Sequence, residues 1–334
     1  MSARPRRTTL STIAASAGVS VATVSKVLNG RSDVAPATRS LVRSLLEQHD
    51  YVPSSARRTG DTTIEIQVDG MCAYAAGIVG GTVEAGADSG VSVAIAIKKG
   101  PAGGGTAWAR DLVSAGRQAV ITIAEHPTPA QLAILSRARL PVVVIDPLDL
   151  SDTSVSSVGP TNFTGGLIAT RHLLALGHSR IAYLGGLATA LSSQARLHGY
   201  RAAMEDAGVP VLPDYVRTPG FCYAHGVEGA GVLLDLRPAP TAIFAASDEC
   251  AVGAIHAAKA RGLRVPEDLS IVGFDDSEIA SMTSPKLTTM HQPLREMGIV
   301  ALRTALRLAA GERIESAHVE LATELVIRES SLTA

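Results

Sequence analysis

From Ile64 onward the chain alternates short, unbroken apolar runs with longer helical stretches, and that alternation leaves few folds open. The runs Ile64–Val68, Val91–Ile97, Ala119–Ile123, Val142–Ile145, Ile181–Leu184, Ala242–Ala245 and Ser270–Phe274 read as strands. Between them Ala76–Ser89, Trp108–Ala115, Pro129–Arg139, Phe163–Leu176, Ser193–Gly208, Gly226–Leu236 and Glu249–Arg261 read as helices. A strand that is apolar at successive positions, rather than at every second one, is buried on both faces, as in a parallel sheet covered by helices. About 270 residues is large for a single sheet of this kind. The pattern therefore predicts an α/β core of two doubly wound parallel-sheet subdomains with a cleft between them. Aromatic residues are only 3% of the chain, so Ala, Val, Leu and Ile must fill its cores. No apolar run approaches the roughly 20 residues needed to cross a bilayer.

Residues before Thr63 follow a different period. Thr9 is a candidate N-cap for a helix over Leu10–Ala17, with Leu10, Ile13, Ala14 and Ala17 on one face. Gly18-Val19-Ser20 reads as a tight turn in which the glycine supplies a left-handed backbone and Ser20 caps the next helix. That second helix, Val21–Leu28, would bury Val24, Val27 and Leu28, and Asn29-Gly30 would stop it. Pro36 suits the first turn of a third helix running to about His49, with Leu41, Leu45 and Leu46 inward. Residues 53–62 are small, basic and almost without apolar groups, a linker or a marginal helix.

Charge divides along the same line. Residues 1–60 carry nine basic and three acidic groups, and the remainder carries 21 basic and 28 acidic. A basic head on an acidic body points to a polyanion at one end only. The outward side of the second helix (Val21, Ala22, Thr23, Ser25, Lys26, Asn29) is slim, hydroxylated or cationic and contains no acid. A major groove admits a helix on those terms.

The run from Thr9 to Gly30, followed by Val34, Thr38-Arg39 and Tyr51-Val52-Pro53, resembles the headpiece of the lac repressor (LacI/GalR) family. The likeness continues in order through Leu176-Gly177-His178, Gly185-Gly186, Ser247-Asp248, the segment Gly262–Ser270 and Val272-Gly273-Phe274-Asp275-Asp276. The resemblance implies a helix-turn-helix headpiece over 1–52, a hinge over 53–62, and a periplasmic-binding-protein-like core over 63–334. Within the core it implies an N-subdomain of about 63–159 and 292–316, and a C-subdomain of about 160–291 and 317–334. It implies base reading by Val21, Ala22 and Lys26, and phosphate contact by Thr9, Ser20, Thr23, Ser25, Asn29 and Thr38. In relatives a hinge leucine wedges into the minor groove. Here no Leu stands between Tyr51 and Ile64, and Ser54 replaces the usual Asn. Ser54, Arg57 and Arg58 are left as hinge contacts, the two arginines entering a narrow minor groove by charge.

In the body the resemblance implies effector contacts from Asp146, Arg196, Phe221, Ser247 and Asp275; Tyr74 and Glu125, which also follow strands, are further candidates, although Cys72-Ala73-Tyr74 stands where the family usually has Asn-Pro-aromatic. Carboxylates, a guanidinium and an aromatic face at strand ends suit the adjacent hydroxyls and C–H face of a sugar. Ser247-Asp248 could equally cap the helix that follows, and Phe221 could equally be core.

The expected protein is thus a cytoplasmic homodimer that binds double-stranded operator DNA and responds to a small, sugar-like effector, without cofactor, metal, membrane or catalysis. Gly103-Gly104-Gly105 lacks the Lys-Ser/Thr of a phosphate-binding loop, and no GxSxG, HExxH or clustered His/Cys set is present. Arg4–Arg7 followed by Thr8–Ala17 has the outline of a signal peptide, but hydroxyl residues interrupt its apolar stretch. No heptad tail follows the last expected strand, Thr323–Arg328, so a dimer is expected. Cys72, Cys222 and Cys250 read as buried thiols, and His178 and His291 as locally hydrogen-bonded. A sugar-binding protein with no DNA role, and a regulator tightened on DNA by its ligand, stay open as alternatives.

Overall fold

The computed structural model describes residues 9–28, 34–49, 51, 62–97, 105–147 and 155–334. Asn29 and the expected hinge contacts Ser54, Arg57 and Arg58 lie outside them. The chain runs α1 (Leu10–Ala17), α2 (Val21–Leu28), α3 (Pro36–Gln48), β1 (Thr63–Val68), α4 (Ala73–Asp88), β2 (Ser92–Ile97), α5 (Ala107–Ser114), β3 (Ala119–Ile123), α6 (Pro129–Arg137), β4 (Val142–Ile145) and β5 (Ser156–Pro160). It continues through α7 (Asn162–Ala175), β6 (Ile181–Leu184), α8 (Leu191–Asp206), a 3₁₀ turn (Pro213–Tyr215), β7 (Val216–Arg217), α9 (Tyr223–Leu234), β8 (Ala242–Ala245), α10 (Asp248–Ala260) and β9 (Ser270–Asp275). It ends with α11 (Glu278–Met282), β10 (Thr288–His291), α12 (Leu294–Ala309), β11 (His318–Leu321) and β12 (Glu324–Val326).

Two compact units result, one within Met1–Thr63, Gly100–Ala119 and Pro127–Pro141, the other within Ile64–Lys99, Val120–His126 and Val142–Ala334. This cuts across the expected single core over 63–334, because α5 and α6 fall in the first unit. Those two helices hold to each other. Thr128 and Gln131 form a reciprocal capping box at the start of α6, and the Gln131 amide also donates to the Gly105 carbonyl ahead of α5.

Also in the first unit, α1 to α3 close on a small core of Ile13, Ala14, Val24, Val27, Val34 and Val42. The inward face of α3 is rotated from the expected one. Val42 is buried with Leu45 and Leu46 beside it, whereas Leu41 is 48% exposed. Val42 sits three and four residues from that pair and so shares a face with it, and that is the face that packs into the core with α1 and α2.

The second unit contains two six-stranded sheets of one topology. The first has the order β11-β5-β4-β3-β1-β2 and the second β12-β10-β9-β8-β6-β7. In each, the two earliest strands lie at one edge and the chain then winds outward in the other direction. The β3–β4, β4–β5, β5–β11, β6–β7, β6–β8, β8–β9 and β9–β10 pairs are parallel, whereas β12 runs antiparallel to β10. The chain crosses between the sheets after β5, after β10 and after β11. The last crossing corrects the boundary expected at 317, since β11 pairs with β5 in the first sheet. Strand β5 (Ser-Ser-Val-Gly-Pro) has too little apolar character to be visible in the sequence, yet Ser156, Ser157 and Val158 are buried.

Helices α7 and α8 approach so closely that only glycine fits between them. A Cβ on Gly199 would lie 2.2 Å from the Phe163 carbonyl oxygen and 2.6 Å from the Leu167 nitrogen. A Cβ on Gly166 would lie 2.2 Å from the carbonyl oxygen of Arg196. Both obstacles are backbone, so neither yields without moving a helix. Gly199→Ala should therefore cost at least about 1–3 kcal/mol as an overpacking change, read as a lowered urea midpoint at unchanged slope.

Candidate functional site

Two sites emerge, one on the headpiece and one between the sheets of the second unit. In the headpiece the Thr9 hydroxyl accepts from the Thr12 N–H at 3.3 Å and caps α1. Gly18 follows at φ +65°, and the Ser20 hydroxyl accepts from the Thr23 N–H at 3.1 Å to start α2. The axes of α1 and α2 bend by 105° across this turn, within the range of DNA-binding helix-turn-helix units. Val24 and Val27 go inward, leaving Val21, Ala22 and Lys26 exposed and Thr23 and Ser25 half-buried. Thr9 and Ser20 are exposed, and Thr38 is half-buried on α3. A capping hydroxyl uses acceptor capacity, so its proton remains available to another acceptor such as a phosphate oxygen.

In the second unit a cavity of about 620 Å³ opens where the strands of both sheets end. It lies outside β1 and β3 on one side and β6 and β8 on the other, the points where each sheet reverses its winding. Of the seven expected effector residues, Tyr74, Asp146, Arg196, Phe221, Ser247 and Asp275 line it. Glu125 does not. Ala124, left-handed at φ +64°, turns the chain so that Ile123 and Ala124 face the cavity, while the Glu125 backbone bonds back to Ile123 and Thr122.

Arg196 is the centre of the arrangement. It is 2% exposed and packs on the Phe274 ring, 3.9 Å from centroid to guanidinium carbon, with Phe221 at 5.7 Å. Its Nε donates to Asn162 Oδ1 at 2.8 Å and its Nη1 to the Ala246 carbonyl at 2.6 Å, while Nη2 lies 4.0 Å from Asp146 Oδ2. The Asn162 amide donates in turn to Asp146 Oδ1 at 3.1 Å, and the Tyr74 hydroxyl to Asp146 Oδ2 at 3.3 Å. Asn162, which the sequence reading passed over, is therefore the bridge between the cation and its carboxylate. Its one sequence signal is its place at the start of a helix just after the Pro160-Thr161 crossing.

Burial raises the Asp146 carboxyl above the usual range, against the opposing pull of Arg196, Asn162, Tyr74 and Ser192. The same burial pushes the Tyr74 phenol well up, with Asp146 adding to it. Asp275, at φ +124°, is also driven well up, first by burial and then by the charge of Asp248 behind it; Arg196 and the Gln292 amide pull the other way. Asp248 does not line the cavity. It is fully buried and receives the Ser277 N–H and hydroxyl and the Thr289 hydroxyl, yet burial still pushes it up to about 6. Ser247 accepts from the Cys250 N–H to cap α10, donates to the Phe221 carbonyl, and lines the cavity.

His178 and His291 hydrogen-bond locally, the first to Thr241 and the Leu332 carbonyl, the second to Asp276. The cysteine expectation needs correction. Cys250 is buried, but Cys72 and Cys222 are exposed and line the cavity, because each precedes a helix that starts at its edge. Among the described residues no single helix is long and apolar enough to cross a membrane.

Residues 9–54 match the family model of bacterial regulatory proteins of the lacI family, and residues 170–331 match a periplasmic binding protein-like domain. The HTH-type transcriptional regulator DegA of Bacillus subtilis is 35% identical over 333 residues, 97% of this chain and 98% of that protein. The chain belongs to the lacI family. It is a LacI-family transcriptional regulator of helix-turn-helix type, with the small all-α headpiece and periplasmic-binding-protein-like core that the family pairs. Among solved structures, a complex of the transcriptional regulator CelR with cellobiose superposes with a TM-score of 0.75 at 35% identity, covering 97% of this chain and all of that one. A lac repressor dimer bound to operator and the anti-inducer ONPF gives 0.72 at 25% identity, covering 98% and 100%.

The stacked carboxyls set a pH dependence for this LacI-family core. Asp248 and Asp275 bind a proton more tightly folded than unfolded. For Asp248 that contribution is fully present below about pH 4 and is lost as pH rises through about 6, and Asp275 acts in the same direction. Unfolding free energies measured from pH 4 to 7 should show this decline superimposed on the other titrations, and Asp248→Asn should make the slope shallower.

Proposed function

We propose that the chain binds a near-palindromic operator as a homodimer and changes its grip when a neutral sugar or sugar derivative enters the cavity between the two sheets. The observation that carries this reading is the convergence of Asp146, Arg196, Asp275 and Phe221 on one cavity, in a chain that begins with a LacI-type headpiece. Two carboxyl groups and a guanidinium offer paired donors and acceptors to neighbouring hydroxyls, and the Phe221 ring offers an apolar surface to the C–H face. A volume of about 620 Å³ accommodates a disaccharide. Similarity to a regulator crystallised with cellobiose supports the same ligand class. The protein works in the cytoplasm, without catalysis or cofactor, as a repressor of carbohydrate uptake or breakdown genes. Thr9, Ser20, Thr23, Ser25 and Thr38 take phosphates, while Val21, Ala22 and Lys26 face the bases. Val21 and Ala22 read by apolar contact with thymine methyls.

The coupling is one of differential affinity: a sugar shifts DNA binding only by as much as it prefers one arrangement of the two lobes over the other. Screening sugars, cellobiose among them, by thermal shift and then by operator gel-shift tests the reading. A stabilising sugar should change operator affinity, and Asp275→Asn should abolish that response while leaving DNA binding intact. Lys26→Ala should weaken operator binding by about 1–3 kcal/mol if Lys26 meets a base edge. Operator affinity should also fall steeply with salt. A chain that ignored every duplex fragment of its own genome, with and without sugars, would refute the assignment.

A further inference from the structure

The effector contacts leave three cysteines unexplained, and the structure gives each a different environment. Cys250 is fully buried, donates to the Gly220 carbonyl, and has its thiol pushed up to about 12 by that burial. Cys72 and Cys222 are a matched pair: both exposed, both N-caps of helices of twelve residues or more, both lining the effector cavity, and neither spent on capping its helix. One contact separates them. The Cys222 sulfur lies 3.1 Å from Nδ1 of His225, one turn into α9, whereas Cys72 has no hydrogen-bonded imidazole among the described residues.

The imidazole packs against the backbone of the loop before it. Gly220 has φ +149°, and a Cβ on it would lie 2.2 Å from His225 Nδ1 and 2.6 Å from Cε1, so the ring occupies the space that a side chain at 220 would need. The loop carrying Gly220 to Cys222 is itself pinned, by the Ser247 hydroxyl on the Phe221 carbonyl at 2.6 Å and the Cys250 thiol on the Gly220 carbonyl at 3.2 Å. A thiol on an imidazole at a helix N-terminus is the environment in which cysteine becomes a nucleophile.

We propose that Cys222 is a modification site inside the effector cavity, open to hydrogen peroxide and small soft electrophiles, with His225 as its base. With peroxide, His225 takes the thiol proton and the sulfur attacks one oxygen. An S–O bond forms, the O–O bond breaks, and the departing hydroxide collects the proton as water, leaving a sulfenic acid. With iodoacetamide the sulfur displaces iodide and the proton leaves with the imidazole. Either adduct stands in the volume that the proposed sugar would occupy. The thiol chemistry itself is independent of that reading.

Short pulses of iodoacetamide on the folded full-length chain, followed by peptide mass spectrometry, rank the three sulfurs in one sample. Cys222 should label at least about tenfold faster than Cys72, and Cys250 should remain protected. In His225→Ala the Cys222 rate should fall to that of Cys72, with Cys72 unchanged and Cys250 still protected, which shows that the variant is folded. His225→Gln serves the same comparison should the alanine variant expose Cys250. Dimedone added after one equivalent of peroxide should tag Cys222 ahead of Cys72. Equal rates for the two exposed cysteines, or an undiminished Cys222 rate in a folded His225 variant, would overturn the assignment.

Discussion

A guanidinium with almost no access to water has to be satisfied by the protein, and Arg196 draws its partners from both lobes. Phe274 beneath it, the Ala246 carbonyl beside it and Asn162 at one crossing fix the ion, and Asn162 passes the interaction on to Asp146 at the end of β4 in the other sheet. A buried ion left unpaired is strongly destabilising, whereas one held by several hydrogen bonds is tolerated. The relative placement of the two strand-end clusters is therefore tied to this one side chain. On the proposed function, a hydroxylated ligand entering the cavity would meet donors and acceptors that are already aligned and would compete with the contacts that Tyr74 and Arg196 make to Asp146.

The scaffold around that ion is the same topology used twice. Each sheet reverses its winding beside its first strand, and each reversal leaves a crevice at the carboxyl ends of its strands, where ligands bind in open α/β sheets. The backbone bears the mark of that use. Of the five described non-glycine residues with positive φ, Ala124, Asp146 and Asp275 line the cavity. Left-handed backbone at such residues is costly and persists where the surroundings over-determine it, a feature of binding sites. Here it swings each group out of its strand and into the crevice. The glycine contact between α7 and α8 has a comparable role, since Arg196 sits on α8 and Asn162 begins α7.

The headpiece rests on a different balance. Six of its described residues are buried and form its core, and its outward helix is stripped of bulk and acid. Thr9 and Ser20 each start a helix and present a hydroxyl at the surface, so the capping chemistry that shapes the unit also supplies groups suited to phosphate. The cavity, by contrast, collects acidic groups and one fully engaged arginine, which favours uncharged ligands over anions. The basic headpiece suits a polyanion, in keeping with the division of charge along the chain.

Much of this was written in the sequence. Periodicity marked α1 and α2, because a short helix with one apolar face repeats every three to four residues, and it marked the central strands, because burial on both faces leaves an unbroken apolar run. Tyr74, Asp146, Arg196, Phe221, Ser247 and Asp275 could be named through the family resemblance and their places beside strands. Tertiary structure decided the rest. Strand β5 has no apolar pattern and exists because β4 and β11 bond to it on either side. The inward choice of Val42 over Leu41 depended on where α1 and α2 lay. Asn162 became the bridge only when two distant strand ends came together, and Cys222 left the expected class of buried thiols because its helix starts at a cavity rim. Local sequence encodes period and caps; which side chains share a charge, a cavity or a proton depends on contacts between residues far apart in the chain.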